Sequence, residues 1–384
     1  MCVSKMKIFL NFLLFLSMCL TINANARSVD DGTFFKSDET GSPCLKSSAH
    51  VLSKRKKEKS GWSVFLDQDF LVINPENDET NDRNYTMGFG LSISGVDNSK
   101  GVLASSRDWF DKYLMTSTDD SSTIIESMHT TTYGMAVYTP DDLENEFVIQ
   151  GDRPYASLLY VSNSKLKAYK KGESTETTLM IGVLGLNVAK EIQKFAHNNL
   201  NASNEDPLGW DNQISDGGEL TALYSVKKKT LVSSCYAADK MSSDISYSLS
   251  ADVGYMVNAA IGLDMRWGYI GTPYYLHTTT PVSNYNYYSC YDCRVHDNYF
   301  FLNFRLRAVA YNATLQGQFR DSKLTIDNQD IENITFETSL GWVYSLGSEW
   351  KITYAINYKS KEFKGSEAKD HLYAGLYLSK RLLE

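Results

Sequence analysis

Several residue patterns are scarce in this 384-residue chain, and each scarcity excludes something. Beyond the first 26 residues no run approaches the ~18 consecutive apolar residues that a membrane helix needs. Basic residues do not dominate: 38 Lys and Arg stand against 46 Asp and Glu, a net charge of −8, which argues against nucleic acid as a partner. No G-x-S-x-G elbow is present, so a serine esterase on an α/β-hydrolase fold is not expected. Only 7 prolines interrupt the chain.

Cysteine is also sparse. Cys2 and Cys19 fall in the first 26 residues, leaving Cys44, Cys235, Cys290 and Cys293. An even number in an oxidising compartment permits two disulfides, and the pairing stays open. Cys290-x-x-Cys293 sits in a Tyr-rich polar stretch with no second C-x-x-C and no βαβ context. A local loop disulfide is favoured there over a zinc or thioredoxin-like site.

Residues 1–26 read as a secretory signal peptide. Lys5 and Lys7 give a positive start, Ile8 to Leu20 is largely apolar, and Ala24-Asn25-Ala26 is an A-x-A cleavage site. A lipoprotein reading would use Cys19, but Met18 before it fits poorly. Residues 27–58 form a polar leader, expected in the periplasm, and are followed by residues 59–384 as one barrel domain. The leader ends in a basic run from Lys54 to Lys59.

Aromatic residues are plentiful: 25 Tyr, 17 Phe and 6 Trp. High aromatic content with modest hydrophobicity after a signal peptide fits an outer-membrane barrel, where only alternate residues must be apolar and aromatic girdles mark the interfaces. A secreted β-sandwich shares several of these features. Asn84 to Ile93 alternates cleanly: Tyr85, Met87, Phe89, Leu91 and Ile93 on one face, Asn84, Thr86, Gly88, Gly90 and Ser92 on the other. Similar stretches lie near 61–72, 127–138, 153–168, 175–186, 218–231, 244–256, 258–269, 298–312, 332–345, 348–358 and 370–381. The expected fold is all-β, an antiparallel transmembrane β-barrel of about twelve strands, an even number as a bacterial barrel requires.

Longer polar stretches at 97–124, 139–152, 187–217, 270–297 and 313–331 read as loops. The 97–124 stretch is long for a periplasmic turn, and a short helix is expected around Arg107 to Tyr113. His129, His277, His296 and His371 show no partner pattern and are expected at the surface or in a girdle. The final strand does not finish on an aromatic residue, unlike most such barrels.

A short extracellular loop helix is expected near 188–200. It would set Gln193 and His197 four residues apart on one face, before the polar turn Gly209-Trp-Asp-Asn-Gln213. Histidine is the side chain best suited to proton transfer near neutral pH. With the N-terminus periplasmic, alternating strands bring five polar motifs to one rim: Asp67-Gln68-Asp69, Asn84-Tyr85-Thr86, Tyr138-Thr139-Pro140-Asp141-Asp142, Asp152-Arg153-Pro154-Tyr155 and the 187–213 segment.

These motifs, DQDF, DRNYTMGF, YTPDDL, GDRPYASLLY and GVLGLNVAKEIQKFAH with GWDNQ, resemble the outer-membrane lipid A 3′-O-deacylase family over roughly 61–213. The resemblance implies a twelve-stranded barrel that removes the 3′-linked acyloxyacyl group from lipid A of lipopolysaccharide. It gives His197 the role of general base on a water, with Gln193 and Thr86 beside it. It implies Ca²⁺ stabilising the oxyanion, with Asp69, Gln68 and Thr86 as the matched candidate ligands and Asp67 as a further candidate metal ligand. Arg153 and Asn84 are candidate substrate-binding residues. Where the family usually carries Asn before the strand-one Asp, this chain has Gln68, so Asp67 could take that place instead. The Tyr138–Asp152 loop lacks a Lys that some members carry. Expected partners are lipid A and outer-membrane lipids, with no nucleic acid, and the chain is expected to be a monomer in the outer membrane with its site facing the exterior. Two rivals remain: a phospholipase or other lipid esterase with the same site, and a non-catalytic porin-like barrel.

Overall fold

The computed structural model describes residues 60–68, 71–72, 84–114, 124–193, 207–235, 241–277, 296–347 and 349–382. The signal peptide, the leader, Asp69, His197, Cys44, Cys290 and Cys293 lie outside the described residues. Among the described residues, no helix is long and apolar enough to cross a membrane.

Twelve antiparallel strands close on themselves, with β1 (Gly61–Gln68) hydrogen-bonded to β12 (His371–Arg381). Between them run β2 (Asn84–Ser94), β3 (Ile124–Thr139), β4 (Ala156–Tyr169), β5 (Glu173–Leu184), β6 (Glu219–Cys235) and β7 (Ser242–Gly254). They continue with β8 (Met256–Tyr269), β9 (Asn298–Asn312), β10 (Ile334–Leu346) and β11 (Trp350–Lys359). Each strand pairs with its sequence neighbours. Closure leaves no unpaired strand edge, which a barrel in lipid requires. The twelve expected strands all form, and helix α1 (Val102–Leu114) spans the stretch where a short helix was expected. Cys235 is disulfide-bonded.

The alternation decides the two faces. Val64, Leu66, Phe89, Leu91, Ile93, Tyr133, Leu159 and Ile181 point outward and are exposed. Phe65, Ala136, Tyr138, Tyr160, Met180, Leu223 and Phe301 point inward and pack into the main core cluster. Charged side chains fill much of the remaining lumen in pairs: Arg307 meets Asp252 and Glu337, each at 3.3 Å, and Lys229 meets Asp264 at 3.0 Å. Buried charges persist only when so matched.

The segment that follows β8 folds back into the lumen at the end where that strand finishes. The Asp297 carboxylate accepts from the amides of Gly271 at 2.7 Å and Thr272 at 2.9 Å, fixing the segment that carries buried Tyr274, Tyr275 and Leu276. Beyond them His277 is buried, and its Nδ1 lies 3.1 Å from the Tyr299 hydroxyl. Burial and the nearby cations Arg266 and Lys229 hold its imidazole well below the usual range. His129 and His371 are buried too, His129 on the outer face of β3 beneath α1, so three of the four histidines expected at the surface or in a girdle are covered by other parts of the chain. Only tertiary closure brings their partners near: His371 Nε2–H donates to the Tyr85 carbonyl across the β12–β1–β2 seam at 2.7 Å.

Among the register shifts of the barrel, the one in β2 lies at the candidate site. The β2–β3 register shifts between Tyr85 and Met87: Tyr85 pairs with Tyr138, but Met87 pairs with Val137. A bulge of this kind sets two residues against one and rotates the chain. Tyr85 therefore turns into the lumen against Tyr373, ring centroids 4.9 Å apart, although the sequence pattern puts it on the outward apolar face.

Candidate active site on the outer wall

The end of the barrel where β1 stops and β2 starts carries the candidate site. Across β1 to β4 the register aligns Gln68 with Met87, Met87 with Val137, and Val137 with Ser157. Gln68 shares its face with outward Leu66, Val137 with outward Tyr133, and Ser157 with outward Leu159, so this row lies on the outer wall. Yet its members are buried. Over Met87, Val137 and Ser157 lies the loop between β5 and β6.

Residues 188–193 are helical, and Gly209–Asn212 forms a single 3₁₀ turn. Ala189 and Trp210 pack with Met87, Met135, Val137, Leu143 and Tyr155 in one buried cluster, joined by half-buried Ile192. The Trp210 indole N–H donates to the Gln193 carbonyl oxygen at 2.9 Å. Trp210 also packs on Tyr155, centroids 4.8 Å apart. Gly209 is required here because a Cβ would sit 2.6 Å from the Tyr155 ring and 2.8 Å from the Asn145 carbonyl. Gln213 locks the far end: its Oε1 accepts from Ser157 Oγ at 3.0 Å, and its Nε2 donates to Asn187 Oδ1 at 2.9 Å. The Ile214 amide donates to the Tyr155 carbonyl at 2.8 Å.

Thr86, at the bulge, joins this outer surface. Its hydroxyl lies 2.6 Å from that of Thr139, which shares the outward face of Val137. The structure therefore brings Gln68, Thr86 and Gln193 to one side of the wall.

Asp67 goes elsewhere. It points into the lumen, where its Oδ2 accepts from the Tyr85 hydroxyl at 3.0 Å and the Tyr377 hydroxyl stands as a second hydrogen-bond partner. Arg153 is buried over the lumen, its guanidinium 4.4 Å from the Tyr138 ring centroid and 3.2 Å from Glu362. Burial raises the Glu362 carboxyl, but Lys359 and Arg153 outweigh it and hold the group down to about 2. Asn84 adopts a left-handed φ of 60° and donates from Nδ2 to the Lys369 carbonyl at 3.3 Å. Asp152 braces its own loop by accepting from the amides of Asp141 and Arg153, each at 2.7 Å. Burial raises its carboxyl, and these two amides partly offset that. Asp211 pairs with Lys190 at 2.7 Å at the surface.

Among the described residues no three His, Cys, Asp or Glu side chains cluster to hold a metal ion. The oxygen donors on the site side are the Gln68 carboxamide and the Thr86 hydroxyl, the hard kind that Ca²⁺ accepts. Sequence reasoning overlooked Ser157 and Thr139 as supports. Both lie within quoted motifs, but only strand register shows that they face the loop.

The model of the outer membrane protein LpxR family matches residues 14–382. The chain belongs to that family. The solved LpxR from Salmonella typhimurium superposes with a TM-score of 0.63 at 15% identity, covering 84% of this chain and 100% of that one. That likeness shows the shared barrel fold. The β domain of the Bordetella autotransporter BrkA is a more distant barrel, with a TM-score of 0.39 at 11% identity over 85% of this chain and 100% of that one. The KdgM porin gives a TM-score of 0.34 at 6% identity over 84% and 99%. No curated protein matches the sequence. Like its family, this LpxR-family chain is an outer-membrane β-barrel.

Proposed function

We propose that this LpxR-family barrel crosses the outer membrane with its strands and hydrolyses the ester that links the 3′ acyloxyacyl group to lipid A, with the site at the exterior rim. The observation that carries this is that Gln68 and Thr86 lie on the outer wall rather than in the lumen, with Gln193 held to the same wall through Trp210. An ester at the membrane surface can reach such a place while its acyl chains stay in lipid.

His197, four residues after Gln193, would act as general base and take the proton from a water that attacks the ester carbonyl. The Trp210–Gln193 hydrogen bond holds the last described turn of the helical segment against the wall, four residues before His197. Gln68 and Thr86, with Asp69, would hold Ca²⁺, and Asp67 would not, because its carboxylate faces the lumen. When bound, the cation would offset the negative charge that develops on the carbonyl oxygen. The buried, ion-paired Arg153 braces the rim and would contact substrate only by way of the loops it holds.

A porin-like barrel needs an open lumen, whereas paired charges and the 272–277 turn occupy much of this one. Mass spectrometry of lipid A from cells making the wild type or His197→Ala, with calcium present or chelated, tests the proposal. Loss of one acyloxyacyl unit only with wild type and calcium is expected. Unchanged lipid A throughout, with the barrel confirmed in the outer membrane, would sink it; fatty acid released from phospholipid would favour the phospholipase rival.

A further inference from the structure

Helix α1 does not plug the lumen. It lies on the outer wall of β3 to β6, at the end opposite the candidate site. The Arg107 guanidinium donates to the Asn163 carboxamide oxygen. Asp111 accepts from Thr177 at 3.0 Å and from the Tyr224 hydroxyl at 2.8 Å. Asn163 shares its strand face with exposed Leu159, Thr177 with exposed Ile181, and Tyr224 with exposed Leu220, so these contacts are all made outside the barrel. Phe110 stacks on Tyr224 with centroids 5.4 Å apart.

The wall beneath the helix is polar: His129 and Thr131 on β3, Asn163 and Lys165 on β4, Thr177 on β5. Elsewhere around this end the outward positions are aromatic. Trp62 meets Trp350 with centroids 5.5 Å apart, Trp342 stacks with Tyr344 at 5.3 Å, and Trp267 with Phe300 at 6.1 Å. The girdle thus runs over β1 and β8 to β11, and where α1 sits the polar Asn163, Lys165 and Thr177 interrupt it.

Helical geometry turns 100° per residue, which sets Ala104, Arg107 and Asp111 on the wall side. Val102, Trp109 and Tyr113 then fall on one stripe opposite, 86%, 56% and 65% exposed. Trp109 packs on Tyr113 at 4.7 Å. An apolar, aromatic stripe turned away from the barrel has no protein partner to bury it among the described residues, and it continues the girdle on either side.

We infer that α1 completes the aromatic girdle: Val102, Trp109 and Tyr113 sit at the acyl–headgroup boundary of the phospholipid leaflet at the end of the barrel away from the site, and α1 screens the polar wall of β3 to β6 from lipid. The inference rests on the reading that the strands cross the membrane. It gives the barrel a lipid contact that is supplied by a connection rather than by a strand.

The test uses tryptophan emission in phosphatidylcholine vesicles with and without dibrominated acyl chains, folding being checked by heat-modifiable gel mobility. One chain keeps only Trp109 and another only Trp350, the remaining tryptophans being replaced by phenylalanine. Because loss of Trp210 disturbs the site segment, the full chain is also compared with Trp109→Phe, and the difference isolates Trp109. Bromine is expected to lower Trp109 emission about twofold, as for Trp350, since both would lie at the interface. Quenching of Trp350 without Trp109 overturns the inference and leaves the membrane reading standing. Quenching of neither in the folded protein overturns both. Trp109 quenched only on dilution of the protein would assign α1 to contact with a second copy, and the inference fails.

Discussion

The indole N–H of Trp210 donates to the side-chain carbonyl of Gln193 at 2.9 Å, and both side chains are buried against the outer wall of the barrel. This bond ties the GWDNQ turn to the helical segment that leads toward His197. Removing one partner strands the other's polar group without water, at a cost of about 1–3 kcal/mol. Gln193→Leu and Trp210→Phe should each loosen the segment, and the double substitution should cost less than the two singles combined. Limited proteolysis at Lys190, quantified through the double-mutant cycle, checks this; strict additivity would show that the bond does not couple them.

Gly209→Ala places a methyl group into the Tyr155 ring and the Asn145 carbonyl. Overpacking of this kind costs typically about 1–3 kcal/mol. The barrel strands should be untouched, while Trp210 loses its buried setting. A red shift of tryptophan emission, absent when the same change is made in a Trp210→Phe background, is the expected signature.

Glu362 reports acid sensitivity at the site end. Its carboxyl is depressed to about 2, because Lys359 and Arg153 outweigh its burial. A depressed carboxylate contributes stability above its unfolded value, near ~4.3, and that contribution is lost as pH falls through the folded value. The loop end of the barrel should therefore loosen between about pH 4 and 2. Glu362→Gln should remove that acid transition and destabilise the protein at neutral pH by about 3–5 kcal/mol, since it leaves the Arg153 guanidinium buried without its counter-ion. Thermal unfolding across pH reads both effects; identical profiles for the two proteins would refute the assignment.

Gln68 and Asp67 separate by face, and so should their effects. If calcium supports the proposed hydrolysis through Gln68, Gln68→Leu should raise the calcium needed for half-maximal activity by about 10–100-fold. Asp67→Asn should leave the calcium requirement unaltered and act instead on the Tyr85 contact in the lumen. A calcium titration of lipid A deacylation distinguishes them. An Asp67→Asn chain with the larger calcium shift would reverse the assignment.

Much of this protein is legible in its sequence, because a barrel strand is specified locally. Alternation of period two over Asn84 to Ile93 states both the strand and its two faces, and the same logic recovers all twelve strands, while the length of the 97–124 stretch is what points to a helix there. Motif order along β1 to β5 was enough to place the polar residues at one rim. What sequence could not decide was on which side of the wall each side chain falls once the register breaks. The bulge at Thr86 turns Tyr85 into the lumen and leaves Thr86 beside Thr139 on the outside. Gln68 and Asp67 are adjacent in the chain and differ only in the face that closure of β1 against β2 and β12 assigns them. Arg153, a candidate for substrate from its motif alone, is a buried partner of Glu362, 209 residues away. Local pattern fixes an element, because it depends on neighbours in the chain. Sidedness and pairing depend on contacts made only when the barrel closes.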